Sequence, residues 1–240
     1  MVITYNPILP KAPMTTKLRK IQARPDYVDE VYQTLLDAIS DGTLAPGARI
    51  TQEEIADQMQ ISRSPVLQAL RLLKKDGLVQ DAPGRGVLVT PLTVASISNL
   101  YFIRGALDSL AAKMAAERKF KIDPKIIENG RRVASGKDVN AMIEADIAFH
   151  SAIYEASGNP LIAQSAQVYW VHLRRAMGAV LQSSAQRQSI WDEHTAIAEA
   201  IAEGDSARAV ELTDVHTTSA RKNLVARLDD YLMHGSAEAR

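Results

Sequence analysis

From Tyr27 onward apolar side chains recur at helical spacing. Val28, Val31, Tyr32, Leu35, Leu36 and Ile39 fall at i, i+3, i+4 and i+7, which predicts an amphipathic helix ended by Gly42. Past the Pro46-Gly47 turn, Thr51 and Glu54 have the spacing of a capping box and open a short helix with Ile55, Ala56 and Met59 turned inward. Gln60-Ile61 makes a tight connection to Ser62, a suitable N-cap, and to a third helix that tolerates Pro65 in its first turn. Its inward stripe is Val66, Ala69, Leu70 and Leu73. The period then shortens: GLVQDAPGRGVLVT predicts two β segments joined by a turn at Pro83-Gly84-Arg85-Gly86, a wing beside a helix-turn-helix.

After Pro91-Leu92-Thr93 the helical period returns and stays. Thr93 is placed to cap a long helix ending near Arg118, and short breaks follow at Asp123-Pro124, Ser135-Gly136, Ser157 to Pro160, Ser183-Ser184 and Gly204-Asp205. Such breaks predict an antiparallel bundle of about six helices. The expected fold is therefore mainly α. A winged helix-turn-helix of three helices and a small β-wing occupies residues 26–91, and an all-helical domain residues 94–230, flanked by an arm (1–25) and a tail (231–240).

Composition narrows the partners. With 240 residues, 46% apolar, the chain has material for two cores. Its 28 Lys plus Arg balance 28 Asp plus Glu, so any polyanionic partner must meet a local patch. One such patch is the arm, with Lys11, Lys17, Arg19, Lys20 and Arg24 and no acid, although a leader without function has the same composition. There is no cysteine, which excludes disulfides and thiolate metal sites. No apolar run is long enough to span a bilayer, and the expected location is the cytoplasm, with no membrane partner.

The outer face of the third helix carries Arg63, Arg71, Lys74 and Lys75, and Arg85 sits at the wing tip. A cationic helix alone is often only a solvated face. Here it follows a capped helix and a tight turn, so its cations are set to meet phosphates and base edges in a major groove, with Arg85 near a minor groove. This stretch resembles the winged helix-turn-helix of GntR-family bacterial transcription regulators over nearly all of residues 28–90. The matching pieces are Gly42, Pro46-Gly47, Ser62-Arg63-Ser64-Pro65-Val66, Ala69-Leu70, Gly77-Leu78-Val79 and Arg85-Gly86. The resemblance implies a DNA-facing set of Arg49, Thr51, Ser62, Arg63, Ser64, Leu67, Arg71, Lys74 and Arg85. One departure is Leu67-Gln68, where the family usually has Arg-Glu; an exposed Leu67 cannot grip a guanine but can pack on a thymine methyl.

In the second half, polar residues occupy apolar positions. Val139, Met142, Ile143, Asp146, His150 and Ile153 share one helical stripe; so do Ile190, His194, Ile197 and Ile201, and again Ala209, Leu212, His216 and Ala220. His194 and His216 lie at matched distances from the Gly204-Asp205 turn, so an antiparallel hairpin brings them level. Asp146 and His150 alone could be an i, i+4 pair, and a lone inward histidine is usually a satisfied core residue. Three inward histidines with a carboxylate are better satisfied by one divalent metal. Zinc is the first expectation, with nickel, manganese or iron as alternatives. His172 lies beside its own stripe and is left out of the set, and Glu193 is expected to point away from the site. Arg104 shares a stripe with Ile97, Leu100, Leu107 and Ala111 and either pairs with Asp108 or holds an effector carboxylate, with Tyr101 beside it.

The patterns IRGALDSLAAKMAA, DIAFHSAIYEASGNPLI and EHTAIAEAIAEGDSARA, with the later His216, resemble the FadR-type ligand-binding domain of the same family over about residues 94–229. In many of its members an aspartate and three histidines bind a metal, which implies that role for Asp146, His150, His194 and His216. The expected protein is a homodimeric regulator, not an enzyme, that binds double-stranded operator DNA under control of a small carboxylate. Two alternatives stay open: a purely structural metal with an apolar or aromatic effector near Trp170, Trp191 and Tyr101, and a metal-dependent hydrolase.

Overall fold

A computed structural model describes residues 27–180 and 187–235. The basic arm and the break expected at Ser183-Ser184 lie outside the described residues. The N-terminal, winged-helix half comprises α1 (Tyr27–Ser40), β1 (Arg49–Ile50), α2 (Gln52–Met59), α3 (Arg63–Lys75), β2 (Val79–Asp81) and β3 (Val87–Val89). The bundle comprises α4 (Val94–Glu117), α5 (Pro124–Ala134), α6 (Val139–Ala156), α7 (Pro160–Val180), α8 (Arg187–Glu203) and α9 (Ser206–Gly235).

Local chemistry accounts for most of these boundaries. The Thr51 side chain accepts from Glu54 N while Glu54 reaches back to the Thr51 N–H, a complete capping box, and Gln60 closes α2 in the left-handed region at φ 54°. Thr93, Asp123 and Asp138 cap α4, α5 and α6 through their side chains. Ser62 stands at the N-cap of α3 with extended backbone but makes no side-chain capping bond, so position and Pro65 rather than a hydroxyl start that helix. The wing has one strand more than the two expected: β1 pairs antiparallel with β3, giving the order β1-β3-β2. A two-residue strand is too short to leave an alternating signature. At the wing tip Gly86 has φ +89°, and a Cβ there would lie 2.4 Å from the Ile50 carbonyl oxygen, so only glycine lets β1 approach. The last helix continues to Gly235, past residue 230 where a polar tail was expected.

Two cores result. Val31, Leu35, Ile39, Val66, Leu73 and Leu78 anchor the winged-helix one, and Phe149, Leu173, Ile197, Ile201 and Leu228 the bundle. Helix α7 bridges them: Val171 packs against the winged-helix core, His172 Nε2 lies 3.0 Å from the Asp76 carbonyl oxygen, and Arg175 Nη2 donates to the Thr90 carbonyl at 2.5 Å. No helix among the described residues is long and apolar enough to cross a membrane.

Candidate functional site

On the DNA side, α3 and the wing flank a groove of about 520 Å³ whose lining includes Leu67, Arg71, Lys74 and Arg85. Leu67 is 40% exposed, as its place among the cations requires. Several expected DNA-facing residues already have protein partners. Arg63 pairs with Glu53 at 3.1 Å and Lys74 with Asp81 at 2.6 Å, both pairs in solvent. Arg49 donates from Nε and Nη2 to the Arg85 carbonyl, so it braces the wing tip, and Thr51 is engaged in its capping box. Ser62, Ser64, Arg71 and Arg85 are exposed.

In the bundle, α6, α8 and α9 bring three imidazoles together. Ligand nitrogens of His150, His194 and His216 lie within 4.8 Å of one another, and all three residues are buried. His194 Nε2 is 3.3 Å from His216 Nε2 and 3.5 Å from Asp146 Oδ1; His150 Nε2 is 3.8 Å from the same oxygen. Two nitrogens held about 2.1 Å from one ion at tetrahedral or octahedral angles lie roughly 3.0–3.4 Å apart, so the facing pair has the spacing of cis ligands. Asp146 is the most open member, its side chain 19% exposed where it borders the cavity.

Carboxylates orient two of the rings. Asp108 Oδ2 lies 3.3 Å from His150 Nδ1, and Glu193 Oε2 lies 2.7 Å from His216 Nδ1. A proton held on each Nδ1 turns an unprotonated Nε2 toward the centre, the arrangement that supports imidazole ligation. His194 Nδ1 has no hydrogen-bond partner, and its ring is set by packing, stacked on Phe149 at 4.0 Å and edge-on to Trp191 at 4.7 Å. The expectation for Glu193 was therefore wrong. Helical period placed it beside the inward stripe, but α9 packs close enough for its carboxylate to cross to His216.

Electrostatics favour neutral rings. Burial, then His216, His150 and Arg104, push His194 well below the usual histidine range; burial and Arg104 lower His150. Burial works against an ionised Asp108, yet His150 and Arg104 outweigh it and hold that carboxyl well below its ordinary range. Arg104 makes the first of the two contacts expected of it, the pair with Asp108. Its Nε donates to Asp108 at 3.1 Å, and its guanidinium also borders the cavity, 4.3 Å over the Trp170 ring. Arg104 Nη2 lies 2.6 Å from His150 Nε2, where it donates to the ring's lone pair. One lone pair cannot serve two partners, so a metal held by all three rings takes the place of that hydrogen bond. The donor set fits a divalent ion: three buried imidazoles, an adjoining carboxylate, and carboxylate support for two rings.

Sequence reasoning had no signal for Asp108 as the partner of His150, because that contact joins α4 to α6. Tyr154 Oη also donates to Asp108. Beside the histidines lies a cavity of about 280 Å³ that exposes Tyr101, Arg104 and Asp146 at one end. Burial raises the Tyr101 hydroxyl to about 12, so it stays protonated and able to donate. Along α9 the lining runs His216, Ser219, Ala220, Asn223, Leu224 and Arg227, facing Met142, Ile143 and Trp191. Trp170 does not line it; that ring is buried against Arg104 and His150.

Family comparisons agree with this division of the chain. Residues 27–89 match the model for bacterial regulatory proteins of the gntR family, and residues 99–219 match the FCD domain. An uncharacterised helix-turn-helix-type transcriptional regulator in an unstable DNA locus of Streptomyces ambofaciens is 29% identical over 206 residues, covering 84% of this chain and 83% of its own. The transcriptional regulator LutR of Bacillus subtilis is 27% identical over 212 residues, covering 75% of this chain and 93% of LutR. Among solved structures, E. coli McbR/YncC superposes with a TM-score of 0.71 at 21% identity, covering 82% of this chain and 96% of that one, which shows a shared fold.

Proposed function

The chain belongs to the GntR family of bacterial regulatory proteins and carries an FCD domain, and we propose that its operator binding is controlled by a carboxylate effector held at a metal centre in that domain. His150, His194, His216 and Asp146 hold the ion, with zinc the first expectation and nickel, manganese or iron as alternatives. The observation that carries this reading is their convergence at the end of a cavity where Arg104 and Tyr101 present donors suited to a carboxylate. A bound metal supplies a Lewis-acidic position for one effector oxygen, and Arg104 and Tyr101 orient the other.

The cavity has room for an acid longer than the smallest ones. From His216 to Arg227 the α9 lining advances by eleven positions, roughly 16 Å of axial rise. Its middle mixes Ser219 and Asn223 with Ala220, Leu224, Met142, Ile143 and Trp191, and the apolar side suits an acid with an extended hydrophobic body. Occupancy reaches the DNA side through α7, since Trp170 covers Arg104 while Val171, His172 and Arg175 touch the DNA-binding half. An effector that favours one arrangement of α7 shifts the population competent for DNA.

A homodimer is part of this reading. Phe102, Ile103 and Leu110 are 60%, 49% and 45% exposed on the face of α4 turned away from the metal residues, and a second copy is the occupant that a two-fold operator demands. The relatives are transcription regulators, and Glu193 is engaged by His216, which leaves a hydrolase without a free base at the site.

A thermal-shift screen of mono- and dicarboxylates, with and without chelator, tests the proposal. Stabilisation by an acid that disappears on chelation supports it. A metal that stabilises with no acid responding leaves the ion structural and overturns effector control through it.

A further inference from the structure

A second cavity, of about 320 Å³, lies at the junction of the two halves and shares no lining residue with the cavity beside the histidines. Its lining includes Gly77, Thr90, Thr93, Ser96, His172 and Arg175. Arg175 is the unusual member. It is only 4% exposed, its Nη2 is occupied by the Thr90 carbonyl, and its Nε has no hydrogen-bond partner. Among the described residues no carboxylate pairs with it. Asp76 approaches the junction through its backbone carbonyl, bonded to His172, while its carboxylate accepts from Tyr32 Oη at 2.7 Å. Burial alone brings the Arg175 guanidinium down to about 10, with no neighbouring charge opposing it.

A buried cation without a counter-ion is costly, and proteins ordinarily pair it. The same cavity receives a second positive feature. It is bordered by the first turn of α4, a helix of 24 residues with no acidic side chain in that turn to offset its N-terminal partial charge. Both features face one space that has room for a ligand, and no carboxylate among the described residues lines it.

We propose that the junction cavity binds an oxyanion, a phosphate or carboxylate group, between the Arg175 guanidinium and the first turn of α4. The anion supplies the missing counter-charge. It also ties α4, α7 and the linker at Thr90 together, where the DNA-binding half meets the bundle, and so acts separately from the metal centre. The volume admits more than an inorganic ion, so a phosphorylated or carboxylated metabolite fits the same chemistry.

The test uses the full-length protein and inorganic phosphate as probe, against chloride at matched ionic strength. Phosphate is expected to raise Tm saturably by about 2–4 °C. The rise should vanish in Arg175→Met and persist in the His194→Ala, His216→Ala double variant. Should Arg175→Met fail to fold, Ser96→Glu places a carboxylate in the cavity and should abolish the phosphate response in a folded protein. A phosphate effect no larger than that of chloride, one that survives Arg175→Met or Ser96→Glu, or one lost with the metal histidines overturns the proposal.

Discussion

His194 Nε2 and His216 Nε2 face each other at 3.3 Å, carried by two helices that the Gly204-Asp205 turn folds back on one another. Two buried lone pairs at that distance repel unless a proton or a cation lies between them. Metal analysis of the purified protein is therefore expected to find about one divalent ion per chain, absent from the His194→Ala, His216→Ala variant. Asp108→Asn, which also alters the pair with Arg104, and Glu193→Gln change the groups behind two of the rings and should weaken metal affinity by about 10- to 100-fold, measured by competition with a chromogenic chelator. Unchanged affinity in both would show that the rings are held by packing alone.

Without metal, stability should fall as the solution is acidified. His150 and His194 have pKa values lowered from 6.5 in the folded chain. Below about 6.5 the unfolded chain binds protons that the folded chain refuses, so unfolding is favoured. Each ring contributes up to about 1.4 kcal/mol per pH unit in that window. Denaturant midpoints of chelator-treated protein should decline from pH 6.5 to 5, and the double variant should lose the His194 share of the slope while His150 keeps its own.

Gly130 on α5 is expected to tolerate no side chain. A Cβ there would lie 2.0 Å from the Trp191 ring, which also edges His194 and lines the cavity of about 280 Å³. Gly130→Ala should cost about 1–3 kcal/mol by overpacking, and Trp fluorescence should report the displaced ring. Leu224→Trp probes the same cavity from α9: it should abolish stabilisation by long-chain acids while sparing short ones, read by thermal shift across a chain-length series.

On the DNA side, Arg71 is exposed and lines the groove. Arg71→Ala should weaken operator binding and lower the salt slope by about 0.9, the loss of one phosphate contact. Asp81→Asn frees Lys74 from its 2.6 Å pair and should act in the opposite sense. Leu67→Arg should change the preferred base in a binding-site selection; an unchanged preference removes Leu67 from sequence readout.

Periodicity and capping chemistry carried much of the fold. Apolar stripes located α1 to α3, Thr51 with Glu54 marked the start of α2, and Asp123-Pro124 and Gly204-Asp205 marked helix joints, because these signals act within one or two turns of chain. The inward placement of His150, His194 and His216 was legible for the same reason: a helix of known period must turn those positions toward its apolar side. The third wing strand was not legible, since Arg49 and Ile50 are held by pairing to residues nearly forty positions away.

What the tertiary structure alone decided is which groups satisfy one another across helices. Asp108 orients His150, Glu193 orients His216, Arg104 sits at once against Asp108 and His150, and Arg175 is buried at the junction with no acid among the described residues to pair with. Period tells which way a side chain leaves its helix, but hydrogen bonds act over about 3 Å. Whether two outward vectors meet within that distance depends on how closely and at what level the helices pack, and that is settled only by the whole core.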